Sequence, residues 1–217
     1  PIPGEVAWGA EAISNASWTG APLAEVLRAA GVRPGAAHVA FGGLDEVERQ
    51  GRRFGFGGSI ALEQALGGDV LLAYAMNGEP LPATHGFPLR AVVPGHIGAR
   101  SVKWLARITA QAAPSDNYFQ AHAYKLFPAD TRAETADWDA ALMLGEQSLT
   151  SVICHPGPGA CLPAGRVQVG GYAYAGGGRQ IARVELSGAK RVSVETTLCP
   201  VGVPQGFVRG VQDGASP

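Results

Sequence analysis

Apolar positions in TGAPLAEVLRAAG, residues 19–31, recur at Leu23, Val26, Leu27 and Ala30. That spacing puts them on one face of an α-helix. Thr19 or Gly20 can cap it, Pro22 suits its first turn, and Gly31 can end it in a left-handed conformation. AHVAF, residues 37–41, predicts a strand, and the charged GGLDEVERQGRR of 42–53 predicts a loop. SIALEQAL, 59–66, predicts a short helix. DVLLAYAMNGEPLP, 69–82, predicts a strand entering an Asn77-Gly78 turn. FPLRAVV and SVKWLARITA, residues 87–93 and 101–110, predict two further strands on either side of the Gly-rich turn Pro94–Gly98. Residues 126–145 hold no sustained period and carry Asp130, Thr131, Arg132 and Glu134, which suits an irregular connection.

From about Ser148 the pattern changes. RVQVGGYAYAGGGRQIARVELS, 166–187, alternates apolar and polar residues and is broken by Gly176-Gly177-Gly178. A period of two predicts a β-hairpin, here as part of a sandwich. The chain therefore divides into an α+β domain over residues 1–147 and a β unit over 148–217. The β unit, about 70 residues with few strands, is small for an independent core.

Composition narrows the function classes. The 217 residues carry 17 Lys and Arg against 18 Asp and Glu, so bulk charge attracts neither nucleic acid nor an anionic membrane. The 31 glycines and 16 prolines favour turns and short strands. No apolar run is long enough to span a bilayer, and no signal-peptide pattern opens the chain. Pro1-Ile2-Pro3-Gly4 reads as mid-protein sequence, so a fragment is expected. Cys154, Cys161 and Cys199 form no C-x-x-C pair. They read as free thiols, with a Cys154–Cys161 bridge left open.

Local clusters must then carry the chemistry. HGFPLRAVVPGHIGARSVKWL, residues 85–105, gathers His85, Arg90, Arg100 and Lys103 around Ala91-Val92-Val93. One reading is a strand–turn–strand with solvated cations. The other is an anion site, in which backbone N–H groups around Gly95 and Gly98 form a concavity, with an Arg fork and a Lys charge beside it. Asp45, closing FGGLD, is by default a solvated loop acid. Tyr124-Lys125 places a phenol beside a cation, which suits either oxyanion orientation or the edge of the core. Trp8 is by default a packing residue. The chain holds no nucleophile elbow, H-E-x-x-H or zinc spacing.

Taken together, WGAEAISNASWTGAPLAEVLRAAGV, HVAFGGLD, DVLLAYAMNGEPLPATHGFPLRAVVPGHIGARSVKWLARI, SDNYFQAHAYKLFP and VGGYAYAGGGRQIARVELS resemble the sulfite oxidase family of molybdopterin enzymes. The likeness runs in the family's order from about residue 5 to 187, and NGEPLPATHGFPLR followed by PGHIGARSVKWL is its most specific part. It implies a molybdopterin-binding domain followed by a partial immunoglobulin-like dimerisation domain. By the same resemblance His85 and Arg90 are pterin-phosphate ligands. Ser101, Val102 and Lys103 line the cofactor through backbone and Lys contacts, and Asp45 holds the pterin. Tyr124 is the catalytic Tyr beside the metal's oxo group, and Trp8 belongs to the substrate pocket. The implied reaction is oxo transfer from Mo-molybdopterin to sulfite, giving sulfate, with electrons passed to a cytochrome or to oxygen. The implied assembly is a homodimer.

The departures from the pattern are specific. The family's metal ligand is a Cys in a C-x-G-N-R-R-like motif upstream of the matched Trp, so it is expected before Pro1, and this chain alone is expected to be inactive. Ala75 and Ala123 stand where acids are expected, and the sequence after RVELS leaves the family pattern. No haem-binding segment is present in the chain. Two other readings stay open: a nitrate reductase-type domain, disfavoured by the Tyr124-Lys125 pair, and a non-catalytic pterin-binding or dimerising remnant. Family compartments include mitochondria, peroxisomes and the bacterial periplasm, and nothing in the chain selects among them.

Overall fold

The structure, a computed structural model, describes residues 9–10, 12–49, 51–128, 130–163 and 165–186, and the backbone of 197–201 and 205–212. It divides into two compact units, one spanning Ala16–Glu146 and one built from the residues that flank it on both sides. No helix among the described residues is long and apolar enough to cross a membrane.

The Ala16–Glu146 unit runs β1 (Trp18–Pro22), α1 (Leu23–Ala30), β2 (His38–Arg49), β3 (Arg52–Ala61), α2 (Leu62–Leu66), β4 (Leu71–Met76), β5 (Glu79–Pro80), β6 (Arg90–Val92), β7 (Leu105–Gln111), β8 (Lys125–Leu126) and β9 (Leu142–Met143). One antiparallel sheet has the order β1-β4-β5, with β6 also paired to β4; a second has the order β3-β2-β7. Leu23 and Leu27 of α1, Val39 and Phe41 of β2, Ile60 of β3, Leu72 of β4 and Ala91 of β6 meet in one core. The β strands contribute alternate residues to it, as the pleat requires. Leu23 is fully buried. Leu23→Ala is expected to cost about 3 kcal/mol, the usual price of a core Leu truncation, read as a lower urea midpoint at unchanged slope.

The first helix is shorter than its pattern suggests. Residues 18–22 are strand, because Gly20 packs against the Leu72 carbonyl so closely that a Cβ would collide with it. Pro22 takes the N-cap position, with no side-chain cap. The buried face is Leu23, Ala24 and Leu27, while Val26 and Ala30 point to solvent. Gly31 does end the helix, at φ 74, and its N–H returns to the Leu27 carbonyl.

The expected loop at 42–53 is mostly strand. β2 continues to Arg49 past a bulge between Gly42 and Glu46, turns at Gly51 (φ 71) and returns as β3. The charges belong to a solvated hairpin, with Arg53 and Glu46 paired across it at 2.7 Å. The expected helix at 59–66 begins only at Leu62, since 59–61 finish β3. Asn77 (φ 54) and Gly78 (φ 83) form the two left-handed positions of the anticipated tight turn between β4 and β5. Strand structure within 87–93 and 101–110 is confined to 90–92 and 105–110, so residues 101–104 stay irregular. The described residues from 127 to 145, after β8, form the irregular connection, interrupted by a 3₁₀ turn at Ala133–Thr135 and the short β9.

Among the described residues, the flanking unit holds a four-stranded antiparallel sheet, β10 (Thr150–His155), β11 (Val167–Tyr174), β12 (Thr197–Val201) and β13 (Gln205–Gln212), in the order β10-β11-β13-β12. The expected 166–187 hairpin is not formed. β11 pairs instead with β10 and β13, and residues 179–186 carry no strand. Val169 and Ala173 of β11 are buried. The Tyr172 hydroxyl donates to the Ala10 carbonyl at 2.6 Å, tying the residues before Ala16 to this sheet. Cys154 and Cys161 are free thiols, so the bridge between them is not made.

Candidate cofactor site

β6 is three residues long, and its pleat decides the site. Ala91 is buried against β4, which turns Arg90 and Val92 to the opposite face, half-buried. The Arg90 guanidinium donates from Nη1 to the His85 carbonyl (3.1 Å), from Nη2 to the Ser101 carbonyl (3.1 Å) and from Nε to the Ala91 carbonyl (3.3 Å). It also lies over the Trp18 ring, 4.8 Å from its centroid, a cation–π contact. Three of its five N–H groups are thus committed to backbone, and two remain for a ligand. Burial lowers the Arg90 pKa, though a guanidinium stays charged at neutral pH.

Three consecutive carbonyls are clamped in the 3₁₀ turn Ala83–His85. Trp104 Nε1 donates to Ala83 at 2.8 Å, Lys103 Nζ to Thr84 at 2.9 Å, and Arg90 to His85. Lys103 Nζ also sits 4.3 Å from the Trp104 ring centroid. Trp104 adopts φ 47, a conformation that costs a bulky residue of the order of 1–3 kcal/mol and concentrates at functional sites. Gly86 closes the turn at φ 106, buried; a Cβ there would lie 3.0 Å from Lys103 Cβ and 3.1 Å from Arg90 Cβ. Gly86→Ala is therefore expected to cost about 2–4 kcal/mol, from left-handed strain plus overpacking, measurable by urea denaturation.

Ser101 and Val102 hold this arrangement from behind. Ser101 Oγ accepts the Val93 N–H at 3.0 Å, and the Val102 carbonyl accepts the Ala91 N–H at 2.8 Å. The Val102 side chain is fully buried in the core, so its contribution to the site is its backbone. Asp45 sits in the β2 bulge. A Cβ on Gly43 would collide with its Oδ1 and come within 2.8 Å of the Lys103 carbonyl. Asp45 Oδ1 is buried with no hydrogen-bond partner. Burial raises the Asp45 pKa, opposed by its own backbone N–H and by Lys103.

The cluster joins His85, Arg90, Ser101, Val102, Lys103 and Asp45. His85 has an exposed side chain beside the turn. Cations with spare N–H groups meet the anionic end of a ligand, and a buried orphan carboxylate oxygen meets an N–H donor. That donor set fits a phosphorylated pterin.

Tyr124 belongs to a different group. It follows the π-turn Phe119–Ala123, and its carbonyl accepts the Leu144 N–H at 2.9 Å. It acts electrostatically on Arg100, whose pKa burial lowers to about 10 while Tyr124 acts in the opposite direction. Trp8 lies outside the described residues. In the Pro94–Gly98 turn, the Ile97 N–H donates to the Gly145 carbonyl, and His96 pairs with Glu146 in an isolated β-bridge. Sequence reasoning missed Trp18, Gly43, Gly86 and Trp104 as parts of the site. Gly86 and Trp104 stand inside the quoted motif, but the contact of Trp18 depends on the β1–β4 register.

The family model for the oxidoreductase molybdopterin binding domain matches residues 3–119, and the model for the Mo-co oxidoreductase dimerisation domain matches residues 142–196. Mitochondrial sulfite oxidase of Drosophila melanogaster is 44% identical over 195 residues, covering 87% of this chain and 34% of that protein. The human enzyme is 45% identical over 184 residues, covering 83% and 33%. Nitrate reductase [NADH] 1 of rice, Oryza sativa subsp. japonica, is 40% identical over 196 residues, covering 83% and 21%. Among solved structures, the sulfane dehydrogenase SoxCD of Paracoccus pantotrophus superposes with a TM-score of 0.68 at 28% identity, over 91% of this chain and 48% of that one. The chain spans about a third of the length of these two sulfite oxidases. With more than half of its residues inside the molybdopterin-binding model, the chain belongs to the sulfite oxidase family of molybdopterin-binding oxidoreductases.

Proposed function

We propose that this chain is the cofactor-gripping part of an oxidoreductase that converts sulfite to sulfate. The observation that carries the reading is the joint presence of two cations with uncommitted N–H groups and the orphan Asp45 Oδ1 around the Gly43 and Gly86 cradle. Arg90 and Lys103, with His85 at the rim, hold the pterin phosphate. Asp45 takes a pterin N–H, and Ser101 and Val102 fix the strand and loop that aim the cations. When bound, the molybdenum cofactor supplies the oxo group and the two-electron redox change. The protein supplies orientation and a partly dry cationic setting for anions. By the family resemblance, Tyr124 orients the substrate oxyanion. The sheet of β10 to β13 belongs to a homodimer interface, and the electrons leave to a cytochrome or to oxygen.

The test uses the protein that carries this chain, purified and assayed for molybdenum and for reduction of ferricyanide by sulfite. Stoichiometric molybdenum with sulfite-dependent turnover supports the reading. Turnover only with nitrate as oxidant would assign the nitrate reductase-type activity instead. Bound pterin without either turnover would leave a binding role.

A further inference from the structure

Arg100 is the largest fully buried side chain among the described residues, 1% exposed at the end of the 3₁₀ turn Gly98–Arg100. Its Nη2 donates to the Leu144 carbonyl, and its Nη1 is buried with no partner. Tyr124 is the one group whose charge registers on it, and no carboxylate among the described residues pairs with it. Buried charges are ordinarily paired, so this half-used guanidinium asks for an anion. Its pKa near 10 keeps it a cation at neutral pH.

Arg100 lines a cleft of ≈ 180 Å³ with His38, Ser59, His96 and Gln120, none of which belongs to the Arg90–Lys103 cluster. His38 Nδ1 is also buried without a partner. At His96, the Gln64 amide nitrogen lies 3.1 Å from Nδ1, and the ring also bonds the Pro94 backbone. Gln120 is held by Ser59: its Oε1 accepts the Ser59 N–H at 2.6 Å and its Nε2 donates to Ser59 Oγ at 3.1 Å, leaving one amide N–H uncommitted. Gly58 keeps the space open, since a Cβ there would lie 3.3 Å from both Arg100 Nη1 and Gln120 Oε1. The negative group near this ring of donors is Glu146, which acts on His96. The volume is below the roughly 300–1,000 Å³ of sites for organic ligands of cofactor size.

We propose that this cleft is a second anion site, taking a small tetrahedral oxyanion of the sulfate or phosphate class on Arg100 Nη1, with His38 and Gln120 as further donors and His96 in its wall. Its lining side chains are not those of the pterin-phosphate grip.

The experiment is a titration of the purified protein with sodium sulfate, and separately with sodium phosphate, at ionic strength held constant with chloride. The ring C–H resonances of the five histidines are followed by NMR. Saturable shifts of His38 and His96, with His155 unmoved, are expected for at least one oxyanion. Arg100→Met is expected to weaken those shifts at least tenfold, and Lys103→Met to leave them in place. Gly58→Ala, which crowds Nη1 without removing it, is expected to weaken them as well and serves if Arg100→Met fails to fold. Absent or non-saturating shifts of His38 and His96 in the unsubstituted protein would overturn the proposal. So would equal shifts with chloride alone, or shifts that survive Arg100→Met.

Discussion

Arg90→Met is expected to lower molybdopterin affinity by about two to four orders of magnitude. On the proposed reading, the two N–H groups that Arg90 leaves uncommitted go to a phosphate, and each charge-assisted bond is worth about 1.5–3 kcal/mol. Losing both amounts to about 3–6 kcal/mol, with about 1.4 kcal/mol per tenfold. The substitution also strips the His85, Ser101 and Ala91 carbonyls of their donor, so part of the loss would come through the 83–86 turn. Arg90→Lys separates the two contributions. It keeps the charge but lacks the planar fork that reaches those carbonyls and a phosphate together, so it should fall between the native protein and Arg90→Met. The measurement is pterin content per chain, by fluorescence of the oxidised pterin, alongside thermal denaturation of the same samples. Full pterin content in folded Arg90→Met would remove Arg90 from the cofactor grip.

How far the fold and the proposed grip could be read from sequence follows from what each residue depends on. His85, Arg90 and Lys103 fall within one short motif, so the family resemblance could nominate them as ligands without any knowledge of register, and the structure gathers them around one turn. The turns at Gly31 and Asn77-Gly78 were legible because they need left-handed conformations that few residues tolerate. The 42–53 hairpin was not, because strand structure with both faces partly solvated has no clean apolar alternation, and charge density there resembles a loop. Trp18 enters the site only through the pairing of β1 with β4, which local pattern cannot set. Arg100 defeats the ordinary expectation that Arg is exposed: the inward 3₁₀ turn that buries it is invisible in composition. Trp104 is likewise an ordinary aromatic in sequence, and its positive φ appears only in three dimensions.

Asp45→Asn is expected to move stability and binding in opposite directions. Burial raises the Asp45 carboxyl above its ordinary 3.8, which means the folded chain binds its proton more tightly than the unfolded chain does. Such a group supports folding below the unfolded value and loses that support as pH rises through the folded one. At neutral pH the ionised, unpartnered Oδ1 therefore weighs against the ligand-free fold. Asn removes the charge, so the ligand-free variant should be at least as stable as the native protein at pH 7. That advantage should shrink as pH is lowered toward 3.8, where the native carboxyl also becomes neutral. Binding should respond the other way. A charged acceptor facing a pterin N–H is worth about 1.5–3 kcal/mol, so pterin affinity should fall by about 10- to 100-fold. Urea midpoints across pH and pterin content on the same preparations read both effects. A variant less stable at pH 7 with unaltered pterin content would make Asp45 a structural acid of the β2 bulge. The opposite pair of changes is what a site that keeps an unsatisfied carboxylate for its ligand requires, because the stability lost to that carboxylate is recovered only when the ligand supplies the missing donor.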